Sequence, residues 1–153
     1  LPMIQTKDIG ALILPLRAAG NAAATAGGSG DGTAVPGVIL DRAAHGMPQS
    51  GVLAVPFTAT LAAGETLSVT YTVEEGEAED MSDATVMATD TVTAATGPAG
   101  GGTVTGCLRI NVKLRAGGRY LRCGYTPELS AGGSDTAELS ALLICGGMDR
   151  VPQ

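Results

Sequence analysis

Alternation with a period of two dominates the chain. In residues 66–73 the apolar Leu67, Val69, Tyr71 and Val73 take the odd positions and the hydroxyl-bearing Thr66, Ser68, Thr70 and Thr72 the even ones, as a strand with one buried face requires. Leu108, Ile110, Val112 and Leu114 alternate as strictly with Arg109, Asn111, Lys113 and Arg115 and predict a second strand. Leu53, Val55, Phe57, Ala59 and Leu61 predict a third, with Pro56 on the opposite parity pointing to an edge position or a bulge. Less regular strand candidates are residues 9–17, 35–41, 85–93, 119–125 and 136–145; the last has apolar residues on both parities, which suits a strand covered on both sides. Ala116-Gly117-Gly118, between two strand patterns, reads as a hairpin turn. Residues 22–26 have helix propensity but are too few to nucleate a helix.

About eight short antiparallel strands and no amphipathic helix predict an all-β fold, a β-sandwich or jelly-roll-like barrel. The Gly-rich stretches 26–33, 96–103 and 130–134 read as surface connections. A chain of 153 residues suits one core. We place that domain at residues 9–147, flanked by an extended N-terminal arm, 1–8, and a C-terminal tail, 148–153. Such arms can add a strand to a neighbour, and Ile4 in the arm and Ile9 at the start of the domain are candidate contacts.

Composition narrows the function. Apolar residues make up 44 % of the chain but aromatic ones only 3 %, so the core is built from Val, Ile, Leu and Ala and leaves little volume for an aromatic-lined cofactor pocket. The net charge of -6 repels phosphate backbones and argues against a nucleic-acid partner. Charged residues are 16 %, below the roughly 25 % of an ordinary domain. A surface this small and uncharged suits a protein packed against neighbours. No apolar run approaches the ~18 residues that span a bilayer, and the N-terminus lacks a secretory pattern, so the expectation is a chain folded in the cytoplasm without a membrane partner. Cys107, Cys123 and Cys145 are widely spaced within apolar runs and read as buried free thiols.

Catalytic signatures are missing. The loop Gly27-Gly28-Ser29-Gly30-Asp31-Gly32-Thr33 is not followed by the Gly-Lys-Ser/Thr of a phosphate cradle, and residues 96–103 fail as a dinucleotide fingerprint for want of a helix pattern. His45 is the sole histidine, its neighbours look like a turn, and no Gly-x-Ser-x-Gly elbow exists. We therefore expect no enzyme, no catalytic or metal residues and no cofactor.

Charge is unevenly placed. Residues 43–108 contain no Lys or Arg, and the run Glu74, Glu75, Glu77, Glu79, Asp80 falls in that stretch. It reads as a solvated hairpin tip that discourages edge aggregation; weak calcium binding or a patch for a basic partner are the alternatives. Five of the nine basic residues, Arg109, Lys113, Arg115, Arg119 and Arg122, lie close together. The first three share a strand face, Arg119 and Arg122 follow on the next strand at opposite parities, and all five are candidate interface residues for an acidic partner, with one part of the fold expected acidic and another basic.

Residues 31–42 (DGTAVPGVILDR), 50–64 (SGVLAVPFTATLAAG), 119–122 (RYLR), 125–137 (YTPELSAGGSDTA) and Gly146-Gly147 resemble a group of small β-rich capsid decoration, or cement, proteins of tailed bacteriophages. The resemblance covers about half of the chain and carries no catalytic motif. It implies a structural virion protein that binds the outside of the major capsid shell, bridges neighbouring capsomers and associates with itself, as a homotrimer or another homo-oligomer. The implied location is the capsid exterior, after assembly in the host cytoplasm. In the group as we read it, the segment matching residues 74–83 is a polar loop often carrying an aromatic residue; here it is more acidic and has none. A tail or head-completion protein is the nearest alternative, and a carbohydrate-binding β-sandwich module a more distant one, disfavoured by the lack of Trp.

Overall fold

The computed structural model describes residues 8–148. Its strands are β1 (Leu14–Thr25), β2 (Ile39–Asp41), β3 (Ser50–Leu61), β4 (Thr66–Gly76), β5 (Thr85–Thr96), β6 (Gly102–Lys113), β7 (Tyr120–Leu129) and β8 (Thr136–Gly146). They form two four-stranded sheets, ordered β1-β8-β3-β6 and β2-β7-β4-β5, with every ladder antiparallel. This order winds two Greek keys into a jelly roll, the all-β class the alternation predicts. The only helical segments among the described residues are three short 3-10 turns.

The periodicity explains the layers. Leu53, Val55, Ala59 and Leu61 of β3 are buried against Leu67, Val69 and Val73 of β4 and Leu121, Cys123 and Tyr125 of β7. The even positions of β4 turn outward, and their hydroxyls pair across to β5, Thr70 with Thr91 at 2.8 Å and Thr72 with Thr89 at 3.3 Å. One flank of the sandwich is closed by the β1–β2 connection: Gly37 bridges to Ala19 and Val35 to Tyr125.

Several elements differ from the sequence reading. Residues 9–17 do not form one strand: Ile9–Ala11 is a 3-10 turn, and β1 starts at Leu14 and runs on through the alanine-rich stretch to Thr25. There ladder bonds to β8 override helix propensity. β8 is covered on one face only, leaving Leu142 exposed. The 116–118 segment is not a hairpin turn; after the 3-10 turn Leu114–Ala116 it carries the chain from β6 in one sheet to β7 in the other. Pro56 sits in the central strand β3 rather than at an edge. The β3–β8 ladder opens between the Ala54–Leu142 and Phe57–Leu139 pairs without changing register, because proline has no N–H to offer.

Candidate functional site

The five clustered cations do not share one face. Arg109 and Lys113 project from the outer face of the β1-β8-β3-β6 sheet, exposed, opposite Ala54 and Ser50. Arg115 leaves that face, because the strand ends at Lys113 and the residue sits in the following 3-10 turn. Arg119 binds Asp41 through two parallel bonds, Nε to Oδ1 at 3.0 Å and Nη2 to Oδ2 at 2.9 Å, and lies 5.1 Å from the Tyr120 ring centroid. The Arg119 hydrogen bond holds the Asp41 carboxyl below its ordinary range, and Asp41 in turn raises the Arg119 guanidinium. Arg122 stands on β7 in the other sheet and pairs with Glu74 at 2.7 Å.

The acidic run lies at the same end of the molecule as these cations, so the expected division into an acidic part and a basic part is not what the fold makes. Glu75 accepts from the Gly118 N–H at 2.5 Å and from the Thr85 hydroxyl at 3.0 Å, which ties the β4–β5 hairpin to the β6–β7 crossover. The tip is a built turn. Asp83 accepts from the N–H groups of Glu77 at 2.9 Å and Ala78 at 3.1 Å, and these bonds lower its carboxyl. Asp80 accepts from Ser82 at 3.0 Å and is likewise lowered. Glu77 and Glu79 remain exposed. Among the described residues no group of His, Cys, Asp and Glu is arranged to hold a metal ion.

Three polar anchors escaped the sequence reading because nothing local marks them. The buried Arg42 guanidinium donates to the carbonyls of Pro48 (Nη2, 2.8 Å), Gly117 (Nη1, 2.8 Å) and Gly118 (Nη1, 2.9 Å). Asp31 accepts from Gly27 and Leu129, each at 2.8 Å, and so pins the Gly-rich 26–33 loop to β7. Buried Asp135 accepts from Ala62 at 3.0 Å. His45 falls in the 3-10 turn Arg42–His45. Of the cysteines, Cys107 is exposed on β6, contrary to expectation, because its position faces outward from an edge strand. Cys123 and Cys145 are buried, and desolvation pushes their thiols up to about 12 and about 11. Ile9 is 68 % exposed on its turn; Ile4 lies outside the described residues.

The outer face of the β1-β8-β3-β6 sheet carries Arg17, Arg109 and Lys113 against Glu138. Its remaining outward positions are uncharged, and Ala23, Val52, Ala54, Pro56, Leu142 and Ile144 among them are small or apolar. Where the ladder opens at Pro56, an open groove of about 560 Å³ crosses this face between Asn21, Thr58 and Ser140. Arg109 and Lys113 have no ion pair among the described residues, whereas Arg119 and Arg122 are each paired.

No protein-family model matches the chain, and no curated protein matches it in sequence. Among solved structures it is similar to a chain in the structure of infectious bursal disease virus Gx strain, at 14 % identity and a TM-score of 0.47, over 91 % of this chain and 34 % of that one. A chain of the Gt strain structure is similar at 14 % identity and a TM-score of 0.46, over 87 % and 32 %. The chain thus spans about a third of the length of these matches.

Proposed function

We propose that this chain is a structural virion protein of a tailed phage that decorates the outer surface of the major capsid shell and bridges neighbouring capsomers. The observation that carries this reading is the outer face of the β1-β8-β3-β6 sheet, where Arg109 and Lys113, with no ion pair among the described residues, stand beside small and apolar side chains. A face of low charge loses little solvation when covered, and free rim cations orient it against an acidic surface. Many weak copies of such a contact gain strength through multivalency. The resemblance of residues 31–42, 50–64 and 125–137 to phage decoration proteins supports the same reading.

The test is to count copies of this chain per particle by quantitative mass spectrometry of purified virions. A number comparable to that of the major capsid protein is the expected result. A handful of copies would move the chain to the tail or portal region, and none would end the virion assignment.

A further inference from the structure

A sandwich of two open sheets has four edge strands, and an unpaired edge recruits another strand unless something blunts it. Three of the four are blunted here. β2 is only three residues long. β1 carries Pro15 and two register shifts, between Arg17 and Ala19 and between Ala19 and Ala22. β5 has two register shifts against β4 and places Asp90 on the parity of the core-facing Ala88 and Val92. β6 has none of these devices. It pairs with β3 over all twelve of its residues without a shift, contains no proline, and has no second ladder partner among the described residues. Thr105, Gly106 and Cys107 are all exposed although successive side chains face opposite sides of a sheet, so the edge itself is open.

We propose that β6 is a self-pairing edge, on which a second copy of this chain lays its own β6 antiparallel across a two-fold axis centred on Cys107. In that register Cys107 faces the partner's Cys107, and Thr105 faces the partner's Arg109. Gly106, which the ring of Phe57 covers within the chain, faces the partner's Leu108, and the β-branched Val104 meets the partner's Ile110, a favourable cross-strand pair. No cation opposes its own copy, whereas centring the axis on Arg109 would set two like charges face to face. Two-fold pairing of the same patch closes at a dimer. It joins two four-stranded sheets into one of eight strands, within the size that twisted open sheets reach. The contact is made mainly by main-chain hydrogen bonds over a narrow strip, so the dimer dissociates on dilution.

The inference does not depend on the capsid reading, because the isolated chain is the sample. Light scattering across a dilution series should show the mass doubling with concentration. A short bis-maleimide should link the dimer through Cys107, the one exposed cysteine, and fail on Cys107→Ser. Thr105→Lys places a cation opposite the partner's Arg109 and should weaken the dimer about tenfold or more; Thr105→Lys with Arg109→Glu should restore it. A chain that stays monomeric, one that forms only trimers, or a dimer indifferent to Thr105→Lys would overturn the proposal. Association lost on deleting residues 1–7, but insensitive to Thr105→Lys, would overturn it in favour of the N-terminal segment as the occupant.

Discussion

The hydroxyl of Tyr125, on β7, crosses the core to reach the carbonyl oxygen of Gly20 on β1 at 2.8 Å, with the Leu139 carbonyl of β8 at 3.3 Å. Gly20 lies where β1 leaves its register with β8, between the Ala19–Ala141 and Ala22–Leu139 pairs. A bulge takes backbone groups out of the ladder, and Tyr125 supplies the missing donor from the opposite sheet. Tyr125→Phe keeps the ring and removes the donor, so it should cost about 1–2 kcal/mol in urea unfolding, the cost of a buried acceptor left without a partner. A cost indistinguishable from zero would mean that the bulge is held by packing alone.

Gly37 is needed for close approach. A methyl group there would stand 2.5–2.7 Å from the backbone oxygen, carbon and nitrogen of Cys123. Gly37→Ala should push the β1–β2 connection off β7 and destabilise the fold by about 1–3 kcal/mol, the usual cost of overpacking. Hydrogen exchange should show faster exchange at the Val35 and Tyr125 amides, which bond each other's carbonyls at 2.7 and 3.2 Å.

Alkaline pH should weaken the fold through its buried thiols. Desolvation raises Cys123 to about 12 and Cys145 to about 11 from an ordinary 9.0, and raises Tyr125 above its ordinary 10.0. An unfolded chain releases these protons first, so stability is intact below pH 9 and falls as pH rises from 9 towards 12. Thermal midpoints measured over that range should fall less steeply in a Cys123→Ala variant. Identical slopes would place the alkaline lability elsewhere.

Charge reversal should sort the cations into two groups. Arg119→Glu sets a carboxylate against Asp41 and Arg122→Glu sets one against Glu74, so both should lower the melting temperature. Arg109→Glu and Lys113→Glu break no ion pair among the described residues and should leave melting unchanged while weakening co-sedimentation with capsids. Unimpaired co-sedimentation would remove this face from the proposed contact.

Short-range alternation by itself determined that the chain is all-β and which side chains of residues 53–61, 66–73 and 108–113 face the core, because a strand's two faces alternate with every residue whatever it pairs with. It could not decide where those strands go. The 116–118 segment is as suited to a hairpin as to a crossover, and only the packing of two sheets around one core sends β7 away from β6. The same assembly let ladder bonds override the helix propensity of residues 22–26 and put Pro56 in the sheet centre by opening one ladder rather than the strand. It also split five neighbouring cations between pairing partners and open surface. Arg119 meets Asp41 across 78 positions and Arg122 meets Glu74 across 48, distances over which sequence spacing holds no information. The anchors Arg42, Asp31 and Asp135 were illegible for the same reason: each bonds backbone groups whose position is set by the closed fold.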